Sequence, residues 1–157
     1  MQRICLFPGT FDPVTLGHLD IINRALPLFD KFVIGIGTNF SKDPMFSTIQ
    51  RKKWFEEIYY DNPKITAEIY EGLTLDFCRK IGAKFILRGI RFLGDFEYEK
   101  SIADANRHLD ASIETIFLTS EPKYSSVVST IVRDIFRNKG DISFFVPSNV
   151  LRDLHIT

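Results

Sequence analysis

Two cysteines, two methionines and a single tryptophan are all that these 157 residues contain of those types, and neither sign of charge is in excess: 20 Lys plus Arg face 20 Asp plus Glu. Each shortage excludes something. Cys5 and Cys78 lie far apart with no CxxC, so both read as small buried hydrophobes rather than nucleophiles, and a reducing cytoplasm is the expected setting. Balanced charge argues against a general nucleic-acid binder or a disordered tail, so any site for a polyanion must be local. No apolar run approaches the ~20 residues needed to span a bilayer, and no charged leader with an apolar signal segment precedes the first strand. A protein free of membrane is expected. Repeats, low-complexity tracts and linkers are also missing. No cluster of His, Cys or carboxylates has metal-site spacing, so no protein-held metal site is expected. His108 reads as structural or interfacial, and His155 has no role.

What is present is alternation. Short β-rich runs at Ile4 to Phe7, Phe32 to Ile36, Ile65 to Ile69, Phe85 to Leu87 and Ile113 to Leu118 are separated by helical patterns, which is the signature of a parallel α/β sheet. The runs FVIGI and FILR are nearly all apolar, as strands covered on both faces must be. The expected fold is a single Rossmann-like α/β domain over 1–157, with a five-stranded parallel sheet and helices on both faces. Leu19, Ile22, Leu26 and Phe29 place one stripe on a first helix. Ser47 and Gln50 predict a capping box for the next, through Trp54, Phe55 and Ile58. Further helices are predicted over Leu75 to Ile81, Asp95 to Leu109 and Ser129 to Asn138, with a short one opened by Pro147 and Ser148.

With all chemistry hung on loops of one sheet, the carboxyl ends of the strands are where a ligand belongs. The first loop, GTFDPVTLGH from Gly9 to His18, has glycines for backbone shape or close approach and a proline to fix a torsion. It leads into a helix start whose unpaired N–H groups suit a phosphate. A second helix start, Val127-Val128-Ser129-Thr130, adds hydroxyls to the same kind of site. Lys42 after strand two, and Arg88 with Arg91 after strand four, supply cations. Guanidinium forks suit phosphate oxygens, whereas an ammonium is a movable point charge.

GTFDPVTLGH resembles the GxFDPxTxGH stretch of the nucleotidyltransferase α/β phosphodiesterase superfamily, and Val127 to Arg133 resembles its ISSTxxR motif. Within that superfamily the whole chain resembles the bacterial phosphopantetheine adenylyltransferases, through SKDPMF at Ser41 to Phe46, RGIR at Arg88 to Arg91, DFEYE at Asp95 to Glu99, and NRHL at Asn106 to Leu109. The resemblance implies transfer of AMP from ATP to 4'-phosphopantetheine, giving dephospho-coenzyme A and pyrophosphate. It also implies magnesium arriving with ATP, a homohexamer, and feedback inhibition by coenzyme A.

Residue by residue, the resemblance assigns Thr10, Lys42, Thr74 and Arg88 to the phosphopantetheine side, with a backbone contact expected at Thr74. It assigns Thr10, Phe11, His18, Gly89, Ile90, Arg91, Glu99 and the run Tyr124, Ser125, Ser126, Val127, Val128, Ser129, Thr130 to ATP. His18, Thr10, Lys42 and Arg91 are the expected catalytic group. Ser126 stands where the family usually has a bulky residue, and Val128 where it usually has a serine. At Val128 only the backbone N–H is then available to ATP. In-line attack by the acceptor phosphate on the α-phosphorus needs no strong base, since a phosphate is already an anion, so catalysis can rest on positioning and charge stabilisation. The residues alone leave other readings open: a sister enzyme using nicotinamide mononucleotide or CTP, and a nucleotide-binding module without turnover.

Overall fold

Backbone pairing extends the predicted runs at most of their ends. In the computed structural model, which describes residues 1–38 and 43–155, the strands are β1 (Ile4–Gly9), β2 (Lys31–Gly37), β3 (Ile65–Tyr70), β4 (Phe85–Ile90) and β5 (Glu114–Thr119). They form one sheet in the order β3-β2-β1-β4-β5, with every neighbouring pair parallel. The strand order reverses beside β1, and the carboxyl end of β1 is therefore the switch point. One expectation is corrected here. Arg88 was expected beyond strand four, yet it lies within β4, opposite Phe117. The apolar run stops at Leu87, but ladder hydrogen bonds use backbone only, and the pairing continues through Gly89 and Ile90.

The helices are α1 (Leu16–Ala25), α2 (Thr48–Ile58), α3 (Thr74–Ile81), α4 (Leu93–Leu109), α5 (Ser129–Arg137) and α6 (Ser148–Asp153). The stripe predicted through Phe29 is not one helix. Pro27 lies in a 3₁₀ turn over Leu26–Leu28 that follows α1, because its ring and missing N–H cannot continue an α-helix. Phe29 still reaches the core. The capping box at α2 is half formed: the Ser47 hydroxyl accepts from the Gln50 N–H at 3.1 Å, while the Gln50 side chain donates to Asp153 at 2.8 Å and ties α6 to α2.

Strand alternation sends two sets of side chains to opposite faces. Cys5, Phe7, Phe32, Ile34, Ile36 and Leu87 join the larger core, with residues of α1, α2, α5 and α6. Leu6, Val33 and Ile86 join a smaller one capped by Leu75, Phe77 and Cys78 of α3. Both cysteines are buried and unpaired, and burial raises both thiol pKa values, that of Cys78 to about 11. α4 packs beside β4 and β5, with Phe96 edge-on to Phe117, yet none of its 17 residues is buried. Leu93, Tyr98 and Leu109 stand exposed on it.

Candidate active site

The opening loop turns sharply over Phe11, whose φ of 52° is in the left-handed region, and over a cis bond from Asp12 to Pro13. Its two glycines serve close approach. A Cβ on Gly9 would sit 2.8 Å from the Phe11 ring, and one on Gly17 would sit 3.2 Å from the Val127 carbonyl. Thr15 caps α1, and His18 is its third residue. The spacing is that of a capping box with histidine in the usual place of Glu or Gln. Thr15 Oγ1 accepts from the His18 N–H at 3.3 Å, and His18 Nδ1 accepts from the Thr15 N–H at 3.0 Å.

That bond fixes the tautomer. With Nδ1 accepting, the ring proton of a neutral imidazole lies on Nε2, free to donate. Burial, followed by the positive fields of Arg91 and Arg88, lowers the His18 pKa to about 3. The ring is therefore neutral near pH 7, packed edge-on to Phe11 with centroids 4.9 Å apart.

The two helix starts differ from expectation. The Leu16 N–H of α1 is taken by the Phe145 carbonyl at 2.9 Å, and the His18 N–H by Thr15, so this end has little left for a phosphate. α5 starts at Val128 with no side-chain cap, since a valine has nothing to accept with. Among the described residues the N–H groups of Ser129, Thr130 and Ile131 have no backbone or side-chain acceptor. α5 is thus the end whose N–H groups are left open toward the cavity, as an anion would need. The Ser129 hydroxyl faces elsewhere: it donates to the Pro13 carbonyl at 2.9 Å, and Arg133 Nη1 donates to the Asp12 carbonyl at 2.7 Å. Together they stitch α5 to the opening loop.

Two cavities flank the carboxyl end of β1. One, of about 520 Å³, is lined by the opening loop, α5 and the ends of β4 and β5, including Phe11, His18, Gly89, Arg91, Tyr124 and Val127. Val128, Ser129 and Thr130 complete its α5 wall, and Glu99 reaches in from α4. The other, of about 630 Å³, opens toward β2 and β3, with Gly37, Tyr70 and Thr74 in its wall. Pro8, Gly9, Thr10 and Arg88 belong to both. Thr74 is the first residue of α3, and its hydroxyl is engaged with the Tyr70 phenol at 2.9 Å. Ile90, Ser125 and Ser126 line neither cavity: Ile90 is buried, and Ser125 and Ser126 form the turn between Tyr124 and Val127. Lys42, with Ser41, falls outside the described residues.

Arg88 and Glu99 were assigned to different substrates, but they are partners. Arg88 Nε and Nη2 meet the two Glu99 oxygens at 2.6 Å each, and Nη1 donates to the Pro8 carbonyl at 2.8 Å. Arg91 is held by Asp95, which accepts from its N–H and its Nε at 3.0 Å each. Three further residues were not singled out from sequence. Asp12, 3% exposed, accepts from the Met45 and Phe46 N–H groups at 2.8 Å each. Arg51, 2% exposed, donates to the carbonyls of Thr10 at 2.5 Å and Phe46 at 2.9 Å. Burial works against its charge and the Asp12 carboxylate offsets this. Arg133 was visible as the last residue of the second motif. An aspartate before proline is ordinarily a turn former, and a helical arginine looks like surface until the fold buries it.

Among the described residues no group of three or more His, Cys, Asp or Glu is arranged to hold a metal ion. Of the cavity carboxylates, Asp12 and Glu99 are already engaged by protein donors, while Asp43 also lines the wall. Such a set fits a magnesium ion held chiefly by phosphate oxygens.

The model of the family described as cytidylyltransferase-like matches residues 6–135. A phosphopantetheine adenylyltransferase of Flavobacterium psychrophilum is 53% identical over 149 residues, covering 95% of this chain and 98% of its own. One from Lachnoclostridium phytofermentans is 45% identical, over 98% of this chain and 94% of its own. Among solved structures, a bifunctional NMN adenylyltransferase/ADP ribose pyrophosphatase of Francisella tularensis superposes with a TM-score of 0.73 at 22% identity, covering 100% of this chain and 51% of its own. That likeness shows the fold. Near-half identity from end to end goes further, and the chain belongs to the phosphopantetheine adenylyltransferase family.

Proposed function

We propose that the two cavities bind ATP and 4'-phosphopantetheine on either side of β1, and that AMP passes between them over Thr10 and Arg88. The reaction gives dephospho-coenzyme A and pyrophosphate, the penultimate step of coenzyme A synthesis. The observation that carries this reading is the shared wall: one hydroxyl and one guanidinium border both cavities, as a direct displacement between two bound anions requires.

In this mechanism the acceptor phosphate attacks the α-phosphorus in line and pyrophosphate leaves, with no covalent enzyme intermediate. Thr10 orients the nucleophile. Arg88, with Lys42, attracts the acceptor phosphate. The neutral His18 ring donates from Nε2 to an α-phosphate oxygen as negative charge builds there, a role suited to a donor that undergoes no change in protonation. Arg91 and the N–H groups of Ser129 and Thr130 hold the departing pyrophosphate. Tyr124 and Val127 offer the flat, apolar wall for adenine. A magnesium ion carried in by ATP would neutralise phosphate charge there.

Coenzyme A, which differs from the product by one phosphate, fits as an inhibitor spanning both cavities. The unburied helix α4 fits self-association, with six copies as the resemblance implies. Two unpaired buried thiols suit a reducing cytoplasm, and no helix among the described residues is long and apolar enough to cross a membrane.

Pyrophosphate release from ATP or CTP, with magnesium and a panel of phosphorylated acceptors, tests the reading. Phosphopantetheine should turn over and unphosphorylated pantetheine should not, because the missing phosphate is the nucleophile. Turnover with nicotinamide mononucleotide but not with phosphopantetheine would sink it.

A further inference from the structure

We propose that Arg137, in the last turn of α5, is an additional contact for the terminal phosphate of the nucleotide and for pyrophosphate, at the mouth of the first cavity. The inference rests on the adenylyl-transfer reading above. Ser129, Arg133 and Arg137 recur every four residues and so share one side of the helix. All three line the same cavity. Arg133 is already committed to the Asp12 carbonyl and, at 3.3 Å, to Thr130 Oγ1. Arg137 makes no hydrogen bond or ion pair with any described residue, and it is exposed.

A surface arginine with a structural task normally finds a carboxylate. Here five donors remain unused beside a cavity whose Asp12 and Glu99 carboxylates are engaged elsewhere. From Ser129 to Arg137 the helix rises about 12 Å, and a helical side chain leans back toward the N-terminus. A phosphate chain that begins at the open N–H groups of Ser129 to Ile131 and runs down this face therefore approaches the Arg137 guanidinium. A terminal phosphate offers the two adjacent oxygens that such a fork grips best.

Arg137→Ala and Arg137→Lys test the assignment, because an exposed side chain can be removed without disturbing the core, and melting curves check this. The forward reaction gives KM for ATP and phosphopantetheine; the reverse gives KM for pyrophosphate and dephospho-coenzyme A. Arg137→Ala should raise KM for ATP and pyrophosphate about tenfold, as expected for one charge-assisted hydrogen bond, with Arg137→Lys in between. KM for phosphopantetheine and dephospho-coenzyme A, which lack the outer phosphates, should not move. An unchanged pyrophosphate KM, or an equal rise in all four, overturns the proposal. Should the wild-type chain show no pyrophosphate-dependent turnover, the reaction assignment fails instead. Calorimetric binding of inorganic tripolyphosphate to wild type and Arg137→Ala then decides the role of Arg137: weaker binding to the variant upholds it and equal binding overturns it.

Discussion

Arg88 and Glu99 face each other through two 2.6 Å contacts, a fork-to-carboxylate pair joining β4 to α4 at the wall between the two cavities. Both side chains are largely shielded, with 28% and 12% of their area exposed. Removing Glu99 leaves a half-buried guanidinium without its counter-charge. Glu99→Ala is therefore expected to lower stability by about 1 to 3 kcal/mol and to raise KM for both substrates, since Arg88 borders both sites. Thr74→Ala, which releases the Tyr70 phenol in the wall of the second cavity alone, should affect phosphopantetheine alone. Titrations of each ligand with each variant check this, and a Glu99→Ala effect confined to ATP would refute the shared wall.

His18 has two jobs that substitution can separate. His18→Ala should lower kcat about 10²- to 10³-fold through loss of one transition-state donor. It should also cost about 0.5 to 1.5 kcal/mol of stability, because the Thr15 N–H loses its acceptor at Nδ1. His18→Gln keeps an acceptor at capping-box spacing, so it should recover the melting temperature while kcat stays low. Near-normal kcat in a well-folded His18→Ala protein would remove the ring from the chemistry.

Acid should unfold the chain partly through the same residue. The folded-state pKa of about 3 lies below the unfolded value of about 6.5. Between those values the unfolded chain holds a proton that the folded chain refuses. Stability present above pH 6.5 is thus lost as pH falls toward 3, by at most about 1.4 kcal/mol per pH unit. The lowered carboxylates Asp110 and Asp153, both near 2, act the same way only below about pH 4. Melting temperatures at pH 7, 6 and 5 should therefore fall more steeply for wild type than for His18→Gln, and parallel profiles would contradict a ring held neutral in the folded chain.

Val128 leaves the start of α5 uncapped. Val128→Ser supplies an acceptor for the N–H of Thr130 or Ile131 and should stabilise the ligand-free protein by about 1 kcal/mol, or about 2 to 4 °C in melting temperature for a chain of this size. An unchanged or lower melting temperature would show that those N–H groups already have partners.

Much of the fold was legible because apolar runs and helical stripes report burial directly. The boundaries that failed are those where burial and backbone pairing part company: β4 outlasts its apolar run through Arg88, and Pro27 breaks a helix whose stripe continues to Phe29. At the site, the two motifs and the RGIR stretch brought Thr10, His18, Ser129 and Arg91 to the lining of one cavity. Sequence did not show that Glu99 neutralises Arg88, that Ser129 spends its hydroxyl on Pro13, or that Asp12 and Arg51 clamp the loop from within. Each of those is a contact between residues 11 to 116 positions apart, and side-chain type alone does not say which way a polar group turns.

The central position of β1 also bears on how such a protein can change. The β2 and β3 half of the sheet borders one cavity and the β4 and β5 half the other, with a four-residue seam in common among the described residues. With ATP and its acceptor divided between the cavities as proposed, substitutions at the ends of β2 and β3 would remodel the acceptor's side while the nucleotide's own berth stays intact. A redesign for a different acceptor would begin at Gly37, Tyr70 and Thr74 and leave α5 untouched.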